Sequence, residues 1–593
     1  MGKIDRVSSN LFPMPKGAYV RNKQYVYINT SNRYIPSEKT GKGTRGYTDH
    51  ESVCIGVLEG IGRSDNNRFY ANKNYLTMIG KVELPDPPKY ADSLSVGLSS
   101  WMAEASDQSG LTKSLADSFC DEGTQMILDL AAYMLSHESA VMQHFPAWAR
   151  DHVLFSDDIR DDTYIGLFLK KFLTVSKINK FKEDWAVKHL GDGRIFLCYD
   201  STNVNSQAEG VFIVERGHAK DDPSLCQVNT DYVIRQSDGL PLTYLHSPGS
   251  VTDIAQTPEM VKFISRLKDL SGKDVQLSLI CDRGYISETN LKYMDDAGIG
   301  YLLMLRTTFK LYDTLSDSVI DIIKSYRYEI QDEDERYGMT QKVTMYEGGP
   351  QCYAQVIWSA ERYSAKRDSV KEQIANKRTE LENFIAANAG TSVALEDLKW
   401  IPPYFRLITE PGTPICIEKR KRGRGTGTYI VEKPTVKVIG YEDDEAGINR
   451  CYQKSGIIIM ITSSEMTAQE ANDAYAERDC VEKTFQALKS HLGMDKIGVS
   501  TEEAMHGKGL VWFVASIFHA VLFNKTSSLR ASDRKNYTVP AMIDQLEAIK
   551  ADKNLNTGKR QRRYKLTRKQ LKILDLWGID ERFIDERISD LSE

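Results

Sequence analysis

Two short apolar runs, each closed by an aspartate, constrain this chain more than any other feature. They are Arg194-Ile-Phe-Leu-Cys-Tyr-Asp200 and Val275-Gln-Leu-Ser-Leu-Ile-Cys-Asp282. Runs of this length and composition read as strands buried on both faces. A carboxylate that ends a buried strand emerges at the carboxyl edge of the sheet, where open α/β folds build their sites. Either aspartate alone is equally well a helix cap or a turn residue, but two on one sheet are harder to dismiss. Between them the pattern predicts strands over 210–216, 231–234 and 242–245, a turn at Ser237-Asp-Gly239, and a helix near Pro258 to Leu270. Antiparallel strands, a crossover helix and a further strand make a mixed α/β sheet.

At 593 residues the chain is long enough for several domains. Residues 1–95 form a basic N-terminal region whose segment Tyr19 to Ile28 alternates like a strand pair, followed by a basic turn at Gly41 to Gly46. Its first fifty residues carry nine Lys/Arg against three Asp/Glu. With interleaved tyrosines that suits contact with a polyanion, although a solvated sheet face reads equally well. Residues 96–190 are patterned as helices. The sheet occupies 191–310 and returns in 456–530, where Gly456 to Ile461 is an apolar run suited to its interior. The intervening 311–455 read as an insertion. It holds a β-hairpin (Val343 to Tyr346 with Cys352 to Trp358) and a charged helix with a narrow stripe of Tyr363, Val370, Ile374, Leu381 and Ile385. The basic run Lys419 to Arg424 and a strand from Thr428 follow. Residues 531–593 are a basic helical region, with ten Lys/Arg and one Asp from Lys550 to Lys572.

An apolar fraction of 41% and a charged fraction of 27% exclude collagen-like and wholly disordered chains. No run reaches the roughly 18 consecutive apolar residues a membrane helix needs. The longest, Leu510 to Phe523, fits a buried core helix, and no membrane association is expected. The N-terminus lacks a secretory pattern. The nine cysteines are scattered without a C-x-x-C pair, as reduced cytosolic thiols are. No P-loop is present, and the Gly-rich turn at Gly41 to Gly46 lies in a basic segment with no helical pattern after it, so nucleotide use is not indicated. The net charge of −5 conceals three strongly basic segments, which together favour a polyanionic partner.

A third acid lies in Tyr475-Ala-Glu-Arg478-Asp-Cys-Val-Glu482-Lys-Thr-Phe-Gln-Ala-Leu-Lys489. Tyr475, Arg478, Glu482 and Lys489 would share one face of a single helix. A charged solvent face accounts for the charges but not for the tyrosine on the same stripe. Three carboxylates converging on one point repel one another unless cations neutralise them, and carboxylate oxygens are the hard ligands that Mg²⁺ prefers. Two such ions can activate a water or hydroxyl and stabilise the leaving oxygen in phosphoryl transfer. Arg478 and Lys489 would then hold phosphates, and the Tyr475 hydroxyl another.

Asp200, Asp282 and the Y-(2)-R-(3)-E-(6)-K spacing resemble the DDE transposases of bacterial insertion sequences, in the branch with the Y-R-E-K signature. Tyr199-Asp-Ser-Thr, Gly217-His-Ala-Lys, Gly239-Leu-Pro-Leu, Pro248-Gly-Ser-Val-Thr-Asp253 and Cys281-Asp-Arg-Gly-Tyr-Ile286 resemble that family's core motifs in order. The resemblance implies an RNase H-like core interrupted by a β-rich insertion, with Asp200, Asp282 and Glu482 holding two Mg²⁺ ions (Mn²⁺ able to substitute). It implies that Tyr475, Arg478 and Lys489 contact double-stranded DNA at the transposon ends and target, and that Trp358 or Trp400 stacks on a flipped base unless buried as core. A homodimer in the synaptic complex and a cytoplasmic, nucleoid-associated location are further implications. A structure-specific RNase H-fold nuclease explains the carboxylates but not the Y-R-E-K stripe. A DNA-binding protein derived from a transposase and lacking catalysis does not explain three retained acids.

Overall fold

The computed structural model describes residues 10–35, 47–60, 68–80, 93–137, 139–156, 158–217, 224–331, 334–420, 428–553 and 559–591. It divides into two compact units, 1–92 and 93–593.

The first unit is a five-stranded antiparallel sheet over a small core of Val26, Ile55, Phe69 and Ala71. The strand pair expected from Tyr19 to Ile28 is a hairpin of Ala18–Arg21 with Tyr25–Ile35. Its turn residues Asn22 and Lys23 both have positive φ, 52° and 57°, as a type I′ turn requires to match the twist of its strands. Arg21 lies over the rings of Tyr19 and Tyr27, 5.2 and 5.0 Å from their centroids. The basic turn at Gly41 to Gly46 lies outside the described residues.

The second unit is built on an eight-stranded mixed sheet. In chain order its elements are β1 (Gly193–Asn205), β2 (Gln227–Arg235), β3 (Leu240–Pro248), helix α1 (Asp253–Ser271), β4 (Val275–Cys281), β5 (Gly300–Met304), β6 (Arg336–Thr344) and β7 (Gln351–Ser359). Helix α2 (Ala360–Ala387) and strand β8 (Ile457–Thr462) follow. The spatial order is β3-β2-β1-β4-β5-β8-β7-β6. β3, β2 and β1 are antiparallel, β1, β4 and β5 are parallel, and the last three strands are antiparallel again. The first five strands give the RNase H-like arrangement. β2 is buried along almost its whole length, polar Asn229, Thr230 and Asp231 included, because helices pack against this part of the sheet.

Two sequence expectations change here. Residues 210–216 are not a strand; they form a loop touching the sheet through one bridge, Glu215 to Gln227. The loop returns beside the end of β3, where a side chain on Gly217 would collide with the Gly249 carbonyl. That close backbone approach explains a glycine in each of two motifs far apart in sequence. The rest of the Gly217-His-Ala-Lys motif lies outside the described residues. The hairpin read as part of the 311–455 insertion is instead β6 and β7, and β7 pairs with β8 in the main sheet. Ala354, Val356 and Ile357 are buried there, so the excursion from the sheet runs from α2 to the start of β8. It carries α2, whose Val370, Ile374 and Leu381 pack with Phe405, a three-stranded sheet, and the hairpin Ile415–Arg420 with Thr428–Lys433. Most of the basic run Lys419 to Arg424 lies outside the described residues.

After β8 come helices α3 (Ala468–Ala476), α4 (Asp479–Ser490) and α5 (Glu502–Lys525). By length and composition α5 could cross a membrane, yet most of its apolar stretch is buried inside the unit. It packs against helices Leu111–His137 and Val175–His189 and against β3. Three polar groups carried into this interior find backbone partners. Trp512 Nε1 donates to the Leu492 carbonyl (3.0 Å), Trp185 Nε1 to Pro241 (2.9 Å) and Lys182 Nζ to Tyr244 (3.0 Å), which avoids the cost of an orphaned buried donor.

Candidate active site

Asp200 follows the buried run Leu197, Cys198 and Tyr199 on β1. β4 runs parallel beside it, in a register that sets Ile280 opposite Cys198. Two residues on, Asp282 comes level with Asp200 on the neighbouring strand, one strand spacing away. Asp282 caps a single 3-10 turn, Arg283–Tyr285, its Oδ1 accepting the Arg283 N–H at 2.7 Å. The cap reading and the site reading of Asp282 are therefore compatible.

The third acid arrives through Arg478. Its Nη2 is 2.5 Å from Asp200 Oδ2 and its Nη1 2.8 Å from Glu482 Oε1. Burial opposes the charge on Arg478, but Asp200, Tyr475, Asp282 and Glu482 together raise its pKa above the ordinary arginine value. The guanidinium thus stands where carboxylate oxygens converge on positive charge. Among the described residues no three His, Cys, Asp or Glu side chains close into a metal cage by themselves. The donor set nevertheless suits a hard cation. Two carboxylates already share one positive group, and the third lies level with the first on the adjacent strand.

Residues 191–518, just over half of the chain, match the family described as Transposase DDE domain. The chain belongs to the DDE transposase family. A cryo-EM structure of the piggyBac transposase synaptic complex with hairpin DNA is weakly similar, with a TM-score of 0.31 and 9% identity over 84% of this chain and 82% of that one. No curated protein matches the chain.

In this transposase the Y-R-E-K residues do not lie on one helix. Tyr475 is in the last turn of α3, Arg478 precedes α4, and Glu482 and Lys489 are on α4. Between them the backbone tightens. Arg478 N bonds to Tyr475 O, Cys480 N to Glu477 O and Val481 N to Arg478 O, all three-residue steps. The tight turn draws Arg478 inward, to 8% exposure, and sets its guanidinium between Asp200 and Glu482. Tyr475 is partly buried, with its ring centroid 6.0 Å from the Arg478 guanidinium carbon. Burial raises its pKa, so it stays a neutral hydroxyl. Lys489 is partly exposed in the last turn of α4.

Trp358 is buried and Trp400 is partly buried. Trp358 is in β7 and 5% exposed. Its Nε1 donates to the Gln453 carbonyl at 3.0 Å, and Lys324 Nζ stands 3.7 Å from its ring centroid. It is a core residue, the other of the two roles its sequence allowed. Trp400 packs edge-on against Phe384 at 5.5 Å with Lys377 over its ring, inside the small core around α2.

Two residues missed by the sequence reading hold the carboxylates in place. Tyr285, buried at 1%, directs its hydroxyl to Asp200 Oδ1 at 3.3 Å, while its backbone belongs to the turn that Asp282 caps. Arg306, just after β5, donates from Nε to the Arg283 carbonyl and from Nη2 to the Gly284 carbonyl, both at 2.7 Å. A 3.3 Å hydroxyl contact is long and weak, whereas two charge-assisted bonds at 2.7 Å are strong. Arg306→Met is therefore expected to slow DNA cleavage on the order of 10²-fold through misplacement of Asp282 and to raise the divalent-cation concentration needed for half-maximal rate if the acids hold such ions. Tyr285→Phe should cost less than about tenfold, since it removes one weak neutral bond. Metal titrations of both variants check this; equal effects would refute the ranking.

Proposed function

We propose that this transposase binds the terminal inverted repeats of its own insertion sequence, cleaves DNA at the element's ends and joins them to target DNA. The observation that carries the reading is the meeting of Asp200, Asp282 and Glu482 around Arg478 at the carboxyl edge of an RNase H-like sheet. The Tyr475, Arg478, Glu482, Lys489 spacing supports the bacterial branch with the Y-R-E-K signature, and with it a cytoplasmic, nucleoid-associated protein.

Asp200, Asp282 and Glu482 would hold two divalent cations, Mg²⁺ or Mn²⁺, whose chemistry is to make a water or hydroxyl a stronger nucleophile and to stabilise the departing oxygen. The chain's own residues orient this site. Tyr285 and the Ser201 N–H fix one oxygen of Asp200, at 3.3 and 2.9 Å. Arg306 fixes the turn behind Asp282, and Arg478 keeps Asp200 and Glu482 from repelling each other before substrate arrives. Tyr475 offers a neutral hydroxyl, and Lys489 a charge for a phosphate farther along α4. In the first reaction a water oxygen attacks phosphorus and the 3′-oxygen leaves as a hydroxyl. In the second, that hydroxyl attacks a target phosphate and the target's 3′-oxygen leaves. Residues 1–95 would supply end recognition, and two protomers would pair the two ends.

Incubating the protein and Mg²⁺ or Mn²⁺ with a duplex carrying the repeat that flanks its gene is expected to give cuts at the element boundary and joined target products. Cutting of any branched duplex regardless of the repeat would indicate a structure-specific nuclease. Repeat binding without cutting under either metal would indicate a DNA-binding derivative.

A further inference from the structure

Residues 559–572 contain eight Lys/Arg and no Asp/Glu, and the fold uses these charges in two different ways. The strand Arg560–Arg562 pairs with Lys550–Lys553, which pairs in turn with Ser93–Ser95. Arg562 is tied to Glu581 at 3.0 Å and Asp585 at 3.2 Å, and Arg563 to Asp552 at 2.7 Å. Those two arginines are neutralised and fasten the segment to the body of the unit. Lys565, Arg568 and Lys572 are exposed and make no ion pair among the described residues. Arg568 and Lys572 stand four apart on helix Arg568–Asp575, a like-charge pair that by itself costs the helix a few tenths of a kcal/mol.

The segment that carries these charges is rigid. Leu566 is buried, Thr567 and Gln570 form a reciprocal cap, and Gln570 Nε2 donates to the Gln545 carbonyl at 2.8 Å. Tyr564, 72% exposed, stands beside Lys565 with its hydroxyl available to a phosphate oxygen. Cations held apart from acids on a fixed scaffold, with an exposed tyrosine among them, match a chain of phosphates rather than solvent.

We propose that this segment, through Tyr564, Lys565, Arg568 and Lys572, binds the phosphate backbone of duplex DNA at a site separate from the three acids. The inference rests on DNA being the partner in the proposed reaction. Binding is electrostatic and independent of sequence, so it serves flanking or target DNA rather than recognition of the repeat.

The test is anisotropy of the full chain with a labelled 40-base-pair duplex of arbitrary sequence, across a salt series. The triple variant Lys565→Gln, Arg568→Gln, Lys572→Gln is expected to flatten the slope of log affinity against log salt by about 2.7 and to lose on the order of 10²-fold in affinity at 0.1 M salt. The charge-keeping variant Lys565→Arg, Arg568→Lys, Lys572→Arg should retain the wild-type slope. An unchanged slope in the triple variant overturns the proposal, as does loss of binding to duplex RNA or poly-glutamate with duplex DNA unaffected. A wild-type chain that binds with the expected slope but never cuts would sink the proposed reaction and leave this site standing. Cutting at repeats together with an unchanged slope in the triple variant would sink the site alone.

Discussion

Replacing any one of Asp200, Asp282 and Glu482 by its amide is expected to abolish cleavage and strand transfer, by on the order of 10³-fold or more, while DNA binding persists. Each change keeps the side-chain shape and removes one charge from the set that would hold the metals, which supply several kcal/mol of transition-state stabilisation. Stability should separate the three. The Asp200 and Arg478 side chains are 15% and 10% exposed, whereas Glu482 is 60% exposed. Asp200→Asn leaves Arg478 with a weaker partner in a nearly dry site and should lower the melting temperature. Glu482→Gln loosens a partner already in water and should melt like wild type. Asp282→Asn keeps its cap, since Asn caps as well as Asp. Rapid single-turnover cleavage by any of the three would remove that residue from the site. A uniform loss of stability across all three would contradict the burial difference between them.

Arg478→Ala has the second largest expected effect, and it separates a buried ion-pair partner from a phosphate clamp. Removing one member of a buried pair strands the other charge, at about 3–5 kcal/mol. The variant should unfold at lower temperature without divalent ions. It should recover part of the loss when Mg²⁺ or Ca²⁺ is added, because binding to the folded state stabilises by mass action. The increment from added metal should therefore be larger in Arg478→Ala than in wild type. Lys489→Ala offers the contrast: melting unchanged within about 0.5 kcal/mol, with the salt slope of DNA binding reduced by about one. Should Arg478→Ala melt like wild type and lose only DNA affinity, the side chain would be a phosphate contact, as its spacing alone suggests.

The sequence by itself determined the strand that carries Asp200 and the one that leads into Asp282, the hairpin at Tyr19 to Ile28, the buried stripe of α2, and the family; it did not show that the first strand runs five residues beyond Asp200, to Asn205. Each of these is written in local pattern: period-two or fully apolar runs, helical spacing, and ordered short motifs. Only the tertiary structure decided which pieces meet. The hairpin pattern of β6 and β7 announces their mutual pairing, but pairing with β8 joins Trp358 to Ile457, and no local signal specifies so distant a partner. Its place in the core, and with it the role of Trp358, followed from that pairing. The tight turn before α4 contains neither Gly nor Pro, so periodicity ran straight through it, and the inward rotation of Arg478 was invisible. Arg306 reads as an ordinary cation after a strand. It becomes a positioning group because β5 lies beside β4, which sets its guanidinium against the carbonyls behind Asp282. Local steric and hydrophobic preferences fix elements along the chain; the convergence of charges from distant segments depends on how those elements pack, and that is where the site was decided.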